Sequence, residues 1–219
     1  LWSSADQGEL VKLNCYRTGK DEAQGISDII EQKIKNKYSL NEVSILVRAI
    51  YQTREFEERF LQLGIGYRVL GGTKFYERAE IKDAVSYLRI INQKFDDLAF
   101  ERVIGVPKRG VGESTLNQIY AFGKNNKLCL EDSIIKMLER EDFKPKTKTT
   151  LKQFINMLQK WRKDSNNIKH YDLLKLVLDE SGYSSMLKNK KDLENENRLE
   201  NLKELLRAMR EYSDLQSFL

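Results

Sequence analysis

Proline, cysteine and histidine are close to absent from this chain of 219 residues, which holds two, two and one of them. With Cys15 and Cys129 isolated in sequence and a single histidine, neither a disulfide framework nor a Cys/His zinc site has the residues it needs. The two prolines leave long stretches of Leu, Ile, Lys and Glu uninterrupted, a composition that favours helix. No run of about 18 apolar residues exists, so no segment is built to span a bilayer. The opening Leu-Trp-Ser-Ser has neither the basic start nor the apolar core of a secretory signal, and the expectation is a cytoplasmic protein without membrane contact. Charge of one sign is also missing. The 38 Lys and Arg face 33 Asp and Glu, a net +5 that permits a polyanionic partner without demanding one. A phosphate-cradling loop is absent too. Gly19-Lys20 and Gly123-Lys124 are followed by neither Ser nor Thr, and the glycine needed five places earlier is Asn14 or Gln118.

What is present suffices for a sizeable core: 40% of the residues are apolar and 32% charged. Residues 9–16, 43–47 and 67–70 read as strands, and two amphipathic helices lie between them. Ile26, Ile29, Ile30 and Ile34 stripe the first helix, over 21–36, and Phe56, Phe60 and Leu63 the second, over 51–63. This β-α-β-α-β alternation predicts a parallel sheet, which three strands leave thin and incomplete. From Arg78 onward only helical periodicity is found, as in Leu151, Phe154, Ile155, Leu158 and Trp161. The expected fold class is therefore α/β followed by all-α. The acidic-then-basic link Glu139–Lys148, with Pro145 inside it, marks the expected boundary between residues 1–138 and 139–219.

Three places carry candidate chemistry. Ile45-Leu46-Val47 stops at Arg48, which puts a forked, permanently charged donor at the carboxyl end of a predicted strand, where open α/β sheets hold ligands. Residues 107–115, PKRGVGEST, form a basic turn punctuated by glycine at the start of a helix. There backbone can approach a phosphate closely, and Ser114 or Thr115 can cap the helix or bind that phosphate. Residues 176–187 read as helix, turn at Ser181-Gly182, then helix, with Lys188, Lys190 and Lys191 just beyond. Gly182 serves equally as a helix C-cap. The Lys144, Lys146, Lys148 and Lys152 cluster and the 188–191 lysines are either solvated faces or phosphate-binding ones. Phe75, Tyr76 and Trp161 read as core.

Residues 45–83, ILVRAIYQTREFEERFLQLGIGYRVLGGTKFYERAEIKD, resemble motif IV and its flanks in superfamily 1 DNA helicases of the UvrD/PcrA/Rep type. The resemblance continues through GGTKFYERAEIKDAVSYLR, DDLAFERVIGVPKRGVGESTL and RLENLKELL, in the family's order and spacing. It implies a piece of an ATP-driven motor that moves 3′ to 5′ along DNA. That piece comprises the first part of RecA-like domain 2A, taken as 1–138, and the first part of helical accessory domain 2B, taken as 139–219. Arg48 then matches an arginine that contacts the γ-phosphate of ATP, supported by Gln52 and Arg54. Val47 stands where the family commonly has an adenine-stacking tyrosine. The resemblance further implies DNA-backbone contacts at Lys108, Arg109, Gly110, Gly112, Ser114 and Thr115. A helix-hairpin-helix grip on duplex follows at Ser181, Gly182 and Tyr183, with Lys188, Lys190 and Lys191. Asp21-Glu22-Ala23-Gln24 imitates the family's acidic Mg²⁺ box, but it opens a helix instead of ending an apolar strand. ATP and Mg²⁺ are thus implied for the full-length enzyme and neither for this piece alone. The implied partners are DNA, single-stranded and duplex, and the remaining motor domains. A non-catalytic DNA-binding or protein-docking module derived from such a helicase is the alternative.

Without a phosphate loop or acidic metal box, the 219-residue chain is expected to show no ATP hydrolysis with or without DNA. DNA-stimulated phosphate release that co-purifies with the chain through a further column would refute that expectation.

Overall fold

The computed structural model describes residues 10–70, 72–189 and 192–219, and the chain forms two compact units, Leu1–Gly72 and Thr73–Leu219. In the first unit, α1 (Gly19–Lys35) begins at Thr18, whose Oγ1 accepts from the Asp21 amide at 3.1 Å. Asp21 and Glu22 occupy its first turn and Lys33 and Lys35 its last, each at the end of the macrodipole that favours its sign. α2 (Thr53–Leu63) ends at Gly64, whose φ of 67° is left-handed and open to glycine without strain. The two helices bury Ala23, Ile30, Phe56 and Phe60 between them, with Val43, Ile65 and Tyr67 packed at the margin.

The parallel sheet expected here is not formed. The described residues are 69% helical and contain no strand. The apolar run 45–47, read from sequence as a buried strand, is solvent-exposed, with Leu46 at 97%. Leu10, Val11 and Leu13 are likewise exposed. Local geometry was not the obstacle: Val43 has extended φ and ψ of −108° and 129°, and Ala49 of −137° and 144°. A strand, however, exists only through the ladder it shares with neighbours, and a parallel sheet must be covered on both faces. Four buried side chains between two helices cannot supply such a cover. The RecA-like α/β reading of residues 1–138 is corrected accordingly to helical.

The second unit is a helical assembly. Its elements are α3 (Ala79–Asn92), α4 (Asp97–Gly105), α5 (Glu113–Asn126), α6 (Leu130–Glu139), α7 (Pro145–Asp164), α8 (His170–Glu180), α9 (Tyr183–Lys188), α10 (Leu193–Met209) and α11 (Leu215–Phe218). α3 lies at its centre, with Ile81, Ala84, Tyr87, Leu88 and Ile90 all buried, and it packs on α4, α7, α8 and α10. Gly123 lets α5 and α6 close up. A β-carbon there would sit 2.9 Å from the Leu128 carbonyl and 2.7 Å from Ser133 Oγ. Trp161 and Phe75 are fully buried, as their apolar context predicts, whereas Tyr76 is 37% exposed and stands edge-on to Phe75.

The link Glu139–Lys148 lies inside this second unit. On its two sides α6 and α7 are joined by a bidentate ion pair, Arg162 Nη1 and Nη2 donating to Glu131 Oε1 and Oε2 at 2.6 and 2.7 Å. Nη2 also donates to the Ile90 carbonyl at 2.7 Å. Glu131 is buried, so Arg162→Ala is expected to cost about 3 kcal/mol by stranding a buried carboxylate. Adding Glu131→Leu should recover part of that loss. Urea unfolding followed by circular dichroism checks both, and equal midpoints for parent and single variant would refute the role.

Candidate functional site

Arg48 sits on a bend after the exposed apolar run, and its guanidinium is solvent-exposed. Among the described residues it has no ion pair or side-chain hydrogen bond. The turn that follows is fixed by Gln52, whose Oε1 accepts from the Ala49 amide at 2.9 Å. Arg54, the second residue of α2, is instead fully buried and donates to Glu55 at 2.5 Å and Glu58 at 2.9 Å. The three motif residues therefore divide into one outward cation, one side chain that fixes the turn after it, and one buried arginine paired within α2.

In the 107–115 loop, Lys108 is exposed and Arg109 is directed inward. Arg109 donates to the carbonyls of Val103 and Pro107 at the end of α4, to Tyr87 Oη at 2.7 Å, and lies 4.6 Å from the centroid of Phe154. Tyr87 Oη in turn donates to the Val106 carbonyl at 3.0 Å. Burial raises the Tyr87 phenol above its usual range, partly countered by Arg109, so it remains a donor through neutral pH. Gly110, at φ 73°, turns the chain, and Gly112 opens α5 with no side-chain cap. Neither Ser114 nor Thr115 caps the helix; Ser114 is exposed beside Gly112. The junction thus offers uncapped first-turn amides next to Lys108, with Glu113 the one acidic residue of that turn.

The turn between α8 and α9 is clamped from both sides. Glu180 accepts from Lys160 at 2.5 Å and from the Trp161 indole at 2.8 Å, and Lys160 above all holds its carboxyl below the usual range. Beyond Gly182, at φ 80°, buried Tyr183 donates to Asp83 Oδ2 at 2.7 Å. Burial, and then that carboxylate, push the Tyr183 phenol up. The turn's amides are engaged internally: Ser181 on Val177, Gly182 on Asp179, and Tyr183 on Ser181 Oγ at 3.3 Å. Lys188 is exposed at the end of α9. Lys190 and Lys191 lie outside the described residues. The sequence reading missed Asp83, which lies among other charges, Glu80 and Lys82, so no local signal marked it.

No group of three or more potential metal ligands occurs among the described residues, and no described helix is long and apolar enough to cross a membrane. Asp21 and Glu22 serve the start of α1.

These features define a helical protein with exposed cations at two loops, and comparison with known proteins supplies its family. The profile of the UvrD-like helicase C-terminal domain matches residues 1–218, and the chain belongs to that family. The chain is 37% identical over its whole length to a probable DNA helicase II homolog of Rickettsia conorii, covering 34% of that protein. It is 33% identical to DNA helicase II of Escherichia coli over 97% of the chain and 30% of the relative. It is 34% identical to the ATP-dependent DNA helicase PcrA of Bacillus subtilis over 97% of the chain and 29% of the relative. The chain spans about a third of the length of these relatives.

The two arginines of the predicted sites should separate by stability. Arg48→Ala is expected to shift unfolding by no more than about 0.5 kcal/mol, as surface changes do. Arg109→Ala should cost about 2 kcal/mol by leaving the α4 carbonyls and Tyr87 without their donor. Thermal melts of both variants decide, and a larger loss for Arg48→Ala would show that its exposed position has been misread.

Proposed function

We propose that this chain is part of an ATP-dependent 3′–5′ DNA helicase, cytoplasmic, in which it supplies one arginine to bound ATP and several contacts to the DNA backbone. The family membership over residues 1–218 carries this reading, and an ATP-dependent relative among those matched supports it. Residues 1–138 and 139–219 are assigned to domains 2A and 2B on resemblance. ATP and Mg²⁺ bind in the full-length protein, on motor elements this chain lacks.

Arg48 suits the nucleotide role because it is outward, uncommitted and mounted on a turn that Gln52 closes. A guanidinium delivered to the γ-phosphate neutralises charge that develops on the transferred group, and its fork fits two oxygens where an ammonium meets one. Val47 offers no ring to stack on a base, so its share of the site is not adenine recognition. DNA contact falls to exposed Lys108 and the uncapped start of α5 around Gly110, Gly112, Ser114 and Thr115, with Arg109 bracing the loop from behind. At the second grip, Ser181 and Gly182 shape a turn that Tyr183 anchors, and Lys188 adds charge, with Lys190 and Lys191 assigned alongside it by sequence. The exposed lysines and the start of α5 meet phosphates and carry no base information, while Arg109 and Tyr183 hold the two turns in shape.

In the full-length enzyme, Arg48→Ala is expected to lower kcat for ATP hydrolysis on the order of 10²-fold, with Arg48→Lys rescuing in part. DNA affinity measured without nucleotide should hold. An unchanged kcat would remove Arg48 from the nucleotide site and favour a docking role for this segment.

A further inference from the structure

α7 carries Lys146, Lys148, Lys152, Lys160, Arg162 and Lys163, and its first acidic residue is its last, Asp164. Arg162 is committed to Glu131, and Lys160 and Lys148 pair with Glu180 and Glu141. Lys146, Lys152 and Lys163 are exposed and have no ion pair among the described residues. With Lys160 they share one solvent face, the one opposite buried Leu151, Phe154, Leu158 and Trp161. Between the lysines that face holds Gln153, Asn156 and Gln159, all exposed and all able to donate a hydrogen bond, and Thr149, whose hydroxyl donates to the Pro145 carbonyl at 3.0 Å.

A helix face that meets only solvent has another appearance. α10 mixes the signs and pairs them along its length: Arg198 with Glu194, Lys203 with Glu200, Arg207 with Glu204. α7 forgoes this. Lys146 sits in its first turn, at the end of the macrodipole that repels cations, and Lys148 and Lys152 are like charges four residues apart. Such placement costs folding stability, and an anion lying along the face removes that cost. From Lys146 to Lys163 the face runs about 26 Å at the helical rise, the length of roughly seven phosphates of one DNA strand.

We propose that the solvent face of α7, through Lys146, Lys152 and Lys163, is a further DNA-backbone contact surface of this chain, additional to the 107–115 loop and the 181–183 turn. The proposal rests on the helicase reading. Its recognition is electrostatic and sequence-blind, ammonium groups meeting phosphates and neutral amides filling the gaps.

Fluorescence anisotropy of the 219-residue chain, with a short random-sequence duplex and with an oligothymidine strand across a KCl series, tests it. Lys146→Gln/Lys152→Gln/Lys163→Gln is expected to flatten the log–log salt slope by up to about 2.7 on duplex or about 2.1 on single strand, which also tells the two forms apart. The matching triple Lys→Arg variant should keep the parent slope, and thermal melts should show both folded. If the glutamine variant keeps the parent slope while Lys108→Ala/Lys188→Ala flattens it, this inference falls and the helicase reading stands. A parent chain with no salt-dependent DNA binding overturns both. Loss of binding to a polyglutamate peptide, with DNA binding unaltered, gives the face to an acidic protein and overturns the proposal.

Discussion

The Asp83 carboxylate ties three helices of the second unit to one point. It projects from α3 into the interior and accepts from Arg102 Nε of α4 at 2.6 Å and from the Tyr183 hydroxyl of α9 at 2.7 Å. A buried carboxylate is tolerated only with its lone pairs occupied, and these two donors meet that condition without water. Tyr183 stands at the end of the α8–α9 turn, so the position of that turn is set by a charge on α3 a hundred residues earlier. The same helix reaches the other candidate loop. Tyr87, one turn further along, meets Arg109 and lies edge-on to Tyr183 at 6.4 Å and to Trp161 at 6.0 Å. Both turns offered for DNA contact are thus mounted on α3, through neighbouring residues of one face.

This arrangement explains why groups that look alike in sequence do different work. Lys108 and Arg109 are adjacent cations, yet one is in solvent and the other satisfies carbonyls that end α4. Arginine suits the inner place because its five donors can serve several acceptors at once and its plane can lie on Phe154. The ordering of the loop is then independent of any ligand. A loop already held in shape loses less entropy on binding than one that must be ordered by its partner.

How far the sequence revealed the molecule depended on whether a feature was local. Helix α1 with its acidic first turn and the buried stripe of α7 follow from residues within one or two turns. The sheet did not, because strand pairing is settled between segments; Ile45, Leu46 and Val47 have the right side chains and no ladder to join. The inward turn of Arg109 was also hidden. It depends on Tyr87 and Phe154, which are distant in sequence and become neighbours only after α3 and α7 pack. Arg48, by contrast, was legible as an outward cation after an apolar run, although the strand invoked to place it is missing.

The division of labour between the two cations extends through the second unit. Each of its arginines has a side-chain partner: Asn201 for Arg78, Asp96 for Arg89, Asp83 for Arg102, Glu131 for Arg162. Arg109 and Arg140 lie on aromatic rings, as does Arg210, and Arg198 and Arg207 pair along α10. The exposed cations of that unit without such partners are lysines, compact hydrated charges on flexible stems that can meet a phosphate without dictating its geometry. Under the function proposed above such contacts are useful, since loose, salt-sensitive attachment to DNA permits sliding. Arg48 in the first unit departs from this pattern, an arginine exposed and uncommitted. Forked donors are wasted on a sliding backbone and matched to a fixed phosphate, which is why the function proposed above gives this residue to nucleotide and the lysines to DNA.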